Sequence, residues 1–370
     1  KNMRKHYLDN IRWITVVLVV IYHVIYMYNG VQPFGVIGPF QEVQYQDAFQ
    51  YVVYPWFMAL LFVVSGMSAR YELETRTAGE VIRRRTRKLL VPSTIGLFVF
   101  QWILGYYNMA IGGGTETMFS AMPDTVPAAA RGAIFYLVMA ASGIGVLWYI
   151  QMLWIFSILL IVVRKLEKDR VYRLCGRSGM TVLLCLTVLI VLSAQVLNTP
   201  VITVYRFGIY GTGFFIGYFI LSHDEVMERL SRFWLPLAAA AAILGIFYTV
   251  IYFGQNYAVT PVLNNIHACV YCWITILAIL AVMKKWGDNT SPSAQWMAKK
   301  SWGLYIFHYL PLAAVAYYLH RYAPEFPAAG CYLLTGIAAF AGGYGLYELL
   351  SRIPVLRWCV LGIRKEKANV

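Results

Sequence analysis

Charged side chains are scarce in this chain: only 13% of its 370 residues are Asp, Glu, Lys or Arg, whereas 60% are hydrophobic. So few charges cannot cover the surface of a soluble globular protein. Acidic residues are rarer than basic ones: 17 Asp and Glu stand against 31 Lys and Arg, so the formal net charge is +14. A basic surface can indicate nucleic-acid binding, but here the cations lie in short gaps between apolar runs. The composition therefore argues against a nucleic-acid partner and indicates an integral protein of the lipid bilayer.

Cysteine is also rare, with six residues, none of them in a segment predicted to lie outside the membrane. A structural disulfide is therefore not expected. Cys269 and Cys272 form a Cys-x-x-Cys in an apolar run with no second pair or nearby histidine, which favours packing over metal binding. A Gly-x-Ser-x-Gly elbow is absent, so the sequence indicates no alternative nucleophile. No metal site is predicted.

Ten apolar segments are long enough to cross a bilayer, which takes about 20 residues. They cover residues 11–29, 50–69, 89–110, 144–163, 180–197, 207–222, 234–253, 262–283, 302–319 and 328–350. The sequence thus predicts an all-α integral membrane protein, a bundle of about ten transmembrane helices. We expect one membrane domain over residues 1–370, with short tails and no separate soluble domain.

The distribution of basic residues predicts the orientation. An even number of spans returns both termini to one side. If that side is cytosolic, 28 of the 31 Lys and Arg residues lie in inner segments and only Arg131, Arg206 and Arg321 lie outside. Inner loops of multi-span proteins carry such an excess. The predicted location is a plasma membrane, of the bacterial inner-membrane type, with both termini in the cytosol.

The apolar stretch 133–163 is longer than a single membrane crossing requires, and Gly143 and Gly145 interrupt it. A second crossing here would place the basic segment 164–177 outside, against the charge distribution. We therefore expect a re-entrant or interfacial piece followed by one crossing.

The first apolar run carries two ionisable side chains, Arg12 and His23. Eleven residues at about 100° each make three turns plus about 20°, so both side chains lie on one helix face. They are about 16 Å apart along the axis, with Arg12 near the membrane surface and His23 deep in the hydrocarbon. An ionisable group at that depth indicates function by default. The alternatives are a hydrogen-bonded structural histidine and an arginine that snorkels to the interface.

Five motifs resemble the membrane-bound acyltransferase-3 family, whose first helix carries an Arg-x10-His signature. They are LDNIRWITVVLVVIYH (8–23), FVVSGMSARY (62–71), RRRTRKLLVP (83–92), LWYIQMLW (147–154) and SWGLYIFHYLP (301–311). They occur in the family's order and span most of the chain. Residues 8–92 are most similar to the branch that succinylates periplasmic glucans.

The resemblance implies an O-acyltransferase that moves an acetyl, succinyl or similar group from cytosolic acyl-CoA to a hydroxyl of a cell-surface or extracytoplasmic carbohydrate. It implies acetyl-CoA or succinyl-CoA as donor substrate and a glycan as acceptor, and it leaves a homo-oligomer open. His23 would act as the general base toward the acceptor hydroxyl. Arg12 and a run of cations would bind the CoA phosphates. The run contains Arg83, Arg84, Arg85, Arg87 and Lys88.

The basic run also has other interpretations. It determines topology, and it can bind lipid headgroups. The family's basic pair is spaced by three residues, and both Arg84 with Arg87 and Arg85 with Lys88 satisfy that spacing. The sequence does not choose between the two pairs.

Two further residues are candidates for supporting the site. Asp9, three residues before Arg12, is expected to orient the guanidinium or to begin the helix. His308 lies about six residues into the ninth predicted span. It either lines the same passage as His23 or packs in the interior.

Three more candidates, Ser65, Trp148 and Glu348, also have structural interpretations. Ser65 and Gly66 are expected to allow close helix approach. Trp148 is either part of a passage wall or part of an aromatic belt at the membrane interface. Glu348 is four residues before Arg352, and an ion pair between them is the favoured interpretation.

Two other classes of protein stay open. A transporter or flippase of a small polar or lipid-linked molecule would suit ten spans, although no inverted repeat is evident. A sensor could keep the fold without the chemistry. The enzymatic interpretation requires a continuous passage from the inner leaflet to His23.

Overall fold

The computed structural model describes residues 5–31, 35–123, 125–199 and 202–363. Within these ranges the regular structure is helical, apart from one isolated antiparallel bridge between Asn198 and Arg206. Seven described helical stretches are long and apolar enough to cross a membrane: His6–Tyr26, Tyr45–Thr75, Ala78–Ile111, Gly145–Glu167, Trp234–Tyr252, Ile266–Trp286 and Ala328–Arg352. Three shorter apolar stretches are Ala128–Ser142, Met180–Ser193 and Phe207–Leu221. The prediction of an all-α, multi-span membrane protein is confirmed.

The α-helices are numbered along the chain. They are α1 His6–Tyr26, α2 Ala48–Val53, α3 Phe57–Thr75, α4 Ala78–Arg85, α5 Val91–Gly96, α6 Trp102–Ile111, α7 Gly114–Ala121, α8 Ala128–Ser142, α9 Trp148–Glu167, α10 Arg170–Cys175, α11 Met180–Ser193, α12 Phe207–Ile216, α13 Asp224–Ser231, α14 Trp234–Tyr252, α15 Thr260–Leu263, α16 Ile266–Trp286, α17 Pro292–Phe307, α18 Tyr309–Tyr322, α19 Ala328–Ile337, α20 Gly343–Arg352 and α21 Pro354–Leu361.

Short segments of other helix types lie between these helices. Two are 3-10 turns, Tyr45–Asp47 and Gly145–Leu147. Four are π-helical: Thr86–Leu90, Leu97–Gln101, Gly217–Leu221 and Ala338–Gly342. π-Helical turns are rare and often occur at functional sites. The first of them carries Arg87 and Lys88 of the basic run.

The chain forms two compact units, each assembled from separate stretches of sequence. Unit 1 consists of Lys1–Leu18, Ala48–Arg83 and Met152–Ser301. Unit 2 consists of Val19–Asp47, Arg84–Gln151 and Trp302–Val370. The single membrane domain expected over residues 1–370 stays a prediction.

In unit 1, α3 and α12 approach closely because glycines lie at their contact. A Cβ atom added to Gly66 would lie 1.9 Å from the carbonyl oxygen of Phe214. One added to Gly217, just after α12, would lie 2.1 Å from the carbonyl oxygen of Val63. Small residues allow two helix backbones to pack at this separation in a membrane. The close approach expected at Gly66 is therefore present.

Unit 2 uses glycines in the same way between α6 and α8. A Cβ atom added to Gly105 would lie 1.6 Å from the carbonyl oxygen of Met139. The interruption predicted at Gly143 and Gly145 is present: α8 ends at Ser142, and Gly145 has a φ of +43° before α9 begins at Trp148. Whether α8 lies in the interface or crosses the bilayer stays a prediction.

The ninth predicted span, 302–319, is two helices rather than one. α17 ends at Phe307 and α18 begins at Tyr309, so His308 lies at the break between them. Pro311 explains this break because it has no backbone N–H to bond the carbonyl of Phe307, four residues earlier, and its ring crowds that carbonyl. His308 therefore lies at the one-residue interruption between α17 and α18.

We predict that Gly66→Ala destabilises the protein by about 1–3 kcal/mol, because the added methyl group must displace the backbone of α12. The matched control is Gly79→Ala on exposed α4, where an added Cβ meets nothing within 4 Å. Thermal unfolding in detergent measures both variants. Equal melting temperatures for the two would contradict the close packing of α3 on α12.

The predicted orientation can be checked with one cysteine introduced at a time, at Gly79 or Thr125, in a background with the exposed Cys185 and the half-buried Cys175 replaced by serine. In right-side-out vesicles, a membrane-impermeant maleimide should label Thr125→Cys. It should label Gly79→Cys only after permeabilisation, because that position lies in a predicted inner segment. Labelling of Gly79→Cys in sealed vesicles would reverse the assignment.

Candidate active site

Unit 2 brings His23 of α1 into contact with His308, between α17 and α18. His23 Nδ1 lies 3.0 Å from His308 Nε2, and 285 positions separate the two residues in the sequence. The ring centroids are 5.1 Å apart. His308 is fully buried, whereas His23 keeps part of its surface accessible. Two of the predicted site residues therefore form one hydrogen-bonded pair.

Aromatic rings surround the His23 imidazole. The ring centroid of Tyr309 lies 4.9 Å from that of His23, and the centroids of Tyr22 and Tyr26 lie 5.1 Å and 6.3 Å away. Tyr22 and Tyr309 are buried. Because apolar ring faces compete little for hydrogen bonds, the contact between the two imidazoles is stronger here than it would be in water.

Backbone carbonyls fix the orientation of the His308 ring. Its Nδ1 lies 3.0 Å from the carbonyl oxygen of Leu304 and 2.9 Å from that of Tyr305. The hydroxyl of Tyr305 donates to the carbonyl oxygen of Val146 at 2.6 Å. α17 is thereby tied to the 3-10 turn that precedes α9.

Unit 1 holds Arg12 by two side chains. Its Nη1 donates to Oδ1 of Asp9 at 3.1 Å, and its Nη2 donates to Oγ of Ser68. Ser68 in turn donates to the carbonyl oxygen of Val64 at 2.8 Å. The Arg12 side chain is 35% exposed, so its ion pair with Asp9 adds little stability. These contacts orient the guanidinium and leave it accessible to a ligand.

The basic run is unevenly buried. Arg83, Arg84 and Lys88 are exposed, whereas Arg85 and Arg87 are half-buried. The Nζ atom of Lys88 lies 5.0 Å from the ring centroid of Trp302. Within the described residues, Nε of Arg87 is buried without a hydrogen-bond partner. Among the described members of the run, Arg87 is therefore the one with a buried side-chain nitrogen that lacks an acceptor.

Comparison with known families identifies the family of this chain. A family model described as an acyltransferase domain, that of acyltransferase 3, matches residues 5–348. The chain belongs to the acyltransferase 3 family. No curated protein and no solved structure matches it. This acyltransferase is therefore a multi-span membrane enzyme that acts on an acyl donor and an acceptor.

The remaining candidates of the acyltransferase lie apart from the histidine pair along the chain. Ser65 is on α3 beside Gly66, and Trp148 begins α9, half-buried, with its ring centroid 6.4 Å from that of Tyr149. Glu348 is on α20. Its expected pairing with Arg352, and the site roles of Ser65 and Trp148, stay predictions.

An apolar groove of about 290 Å³ runs along another face of α1 in unit 2 of the acyltransferase. It is lined by Ile21, Val24, Ile25, Gln46, Tyr332, Gly336 and Phe340. At about 100° per residue, His23 is about 200° around the helix from Ile21 and Ile25. His23 is not among the residues that line the groove, and the passage expected from the inner leaflet stays a prediction.

Two features of the acyltransferase site were missed from the sequence. Ser68 contacts Arg12, a contact that the sequence did not predict. The helix break at His308 was missed as well. Pro311 was the signal for it, because a proline inside an apolar run ends or kinks a helix just before it.

Proposed function

We propose that this acyltransferase transfers an acyl group from acyl-CoA to a hydroxyl of a carbohydrate outside the cytoplasm, with His23 as the general base. The observation that carries the proposal is the contact of His23 Nδ1 with His308 Nε2, at 3.0 Å. This contact fixes the ring of His23 and occupies only one of its nitrogens. An oriented imidazole with a second nitrogen free for substrate is what general-base catalysis requires.

The proton and the bonds balance in one cycle. His23 takes the proton of the acceptor hydroxyl while the acceptor oxygen forms a bond to the thioester carbonyl carbon. The tetrahedral intermediate then breaks its carbon–sulfur bond. The departing CoA sulfur takes the proton from His23, which returns to its neutral form. The products are the acyl ester and free CoA.

The cations are proposed to hold the CoA phosphates through charge-assisted hydrogen bonds. Within the basic run, the unsatisfied Nε of Arg87 supports this residue, and therefore the pair Arg84 with Arg87, over Arg85 with Lys88. Arg12 is proposed to bind a phosphate as well. Along α1 it lies about 16 Å from His23, and CoA likewise separates its phosphates from its thioester by the pantetheine arm.

The acyl group is proposed to be small, acetyl or succinyl. Succinyl is proposed because the motifs of residues 8–92 resemble those of glucan succinyltransferases, whereas the family match itself names no branch. The accessible part of the His23 ring is bordered by tyrosines, and aromatic rings can stack on sugars. A glycan acceptor fits these surroundings.

We predict that His23→Gln lowers product formation about a hundredfold to ten-thousandfold, because that is the usual contribution of a general base. Acyl-CoA binding should be retained. Mass spectrometry of surface glycans from cells with the native chain, the variant or no chain measures the product, and the added mass names the acyl group and its carrier.

The matched control is His320→Gln, which makes the same change at an exposed position of α18. It should leave the glycan mass pattern of the native chain intact. Unchanged acylation in His23→Gln would remove the catalytic assignment. Uptake of a polar solute by purified protein in vesicles without acyl-CoA would indicate a transporter instead.

We predict that Arg87→Gln weakens CoA binding about tenfold or more, since a hydrogen bond to a charged group contributes about 1.5–3 kcal/mol. The affinity should also become less sensitive to salt. Isothermal titration of the detergent-solubilised protein with CoA measures both effects. Arg170→Gln removes the same charge from another predicted inner segment and serves as the control. Equal losses of CoA affinity in the two variants would leave Arg87 as a determinant of topology only.

A further inference from the structure

The hydrogen bonds of His308 determine which of its nitrogens carries the proton. A carbonyl oxygen only accepts hydrogen bonds, and Nδ1 of His308 faces two of them, Leu304 and Tyr305, at 3.0 and 2.9 Å. Nδ1 must therefore carry the hydrogen. The ring is fully buried, and among the described residues no carboxylate forms an ion pair with it. Since burying an unpaired charge is costly, His308 is neutral, and its Nε2 is an acceptor.

The proton position on His308 dictates the one on His23. Because His308 Nε2 accepts, the atom 3.0 Å away, His23 Nδ1, must donate. The hydrogen bond between the two rings therefore runs from Nδ1 of His23 to Nε2 of His308.

We infer that His308 is the positioning residue of this enzyme: it holds His23 in the Nδ1–H tautomer, so that Nε2 of His23 is the atom that receives the proton of the acceptor hydroxyl. This inference rests on the proposed function. When His23 becomes the imidazolium during the reaction, its Nδ1–H continues to donate to His308. The pair therefore keeps one geometry while the proton is gained and returned at Nε2.

Two substitutions test the roles of the two ring nitrogens of His308 one at a time. The side-chain amide of Asn reaches about as far as Nδ1, so His308→Asn keeps a donor for the Leu304 and Tyr305 carbonyls and loses the acceptor toward His23. The longer side chain of His308→Gln places an amide oxygen near the position of Nε2 and keeps that acceptor. The two variants are otherwise similar in polarity, and His320→Gln is again the exposed control.

We expect His308→Asn to lower kcat at least about tenfold, because groups that orient a catalytic imidazole typically contribute that much or more. Its Kd for acyl-CoA should not change. His308→Gln should keep most of the kcat. Equal kcat in the native enzyme and in His308→Asn would overturn the inference, as would equal losses in the Asn and Gln variants.

A second measurement does not depend on turnover. Nitrogen-15 NMR of histidine-labelled enzyme in detergent, with the His23 signals assigned from the His23→Gln spectrum, reports which ring nitrogen is protonated. We expect Nδ1 protonated in the native enzyme and in His308→Gln, and a mixture of tautomers in His308→Asn. A native His23 protonated at Nε2 would refute the inference even if a variant failed to fold.

The two proposals fail in different ways. If His23→Gln still acylates glycans, the proposed function itself is wrong. If His23→Gln is inactive while His308→Asn keeps both the native tautomer and the native kcat, only the positioning role of His308 is wrong.

Discussion

A polar group buried among apolar side chains must find a partner, and the hydrogen bond to His23 meets that requirement for Nε2 of His308. An unpaired buried donor or acceptor costs about 1–3 kcal/mol. His23 removes that cost for the fully buried ring of His308, at a separation of 3.0 Å. The break before Pro311 places His308 between two helices, and the hydroxyl of Tyr305 secures the helix before the break. Several elements of unit 2 thus converge on one contact.

Arg12, on the same helix, is held instead by contacts that water can reach. Its partners, Asp9 and Ser68, come from one turn earlier in α1 and from α3, and a third of its side chain is exposed. Water competes with such contacts, so they orient the guanidinium without binding it tightly. A group that must exchange its partners for a ligand benefits from this weakness. Arg12 and His23 therefore differ in their partners as their proposed roles differ.

Local sequence patterns predicted much of this molecule. Contacts between segments that are distant in the sequence could not be predicted from such patterns. The helix that carries Arg12 and His23 follows from an apolar run with helical spacing, and the break at Gly143 and Gly145 follows from two glycines. The partner of His23 lies 285 residues away, and no periodicity encodes a separation of that size. The contact of Ser68 with Arg12 depends on how α3 is rotated against α1. The proposal of Arg87 within the run rests on a buried Nε that has no hydrogen-bond partner among the described residues, and tertiary packing decides that burial.

The π-helical turns bear on how relatives of this chain are compared. Such a turn closes its hydrogen bonds over five residues instead of four, so it holds one residue more than an α-helical turn and rotates all later side chains by about 100°. The segment Leu97–Gln101 does this in the middle of the helical stretch Ala78–Ile111. A relative with an uninterrupted α-helix there would be one residue shorter at that point. In an alignment of the two sequences, the gap would therefore fall inside a membrane span.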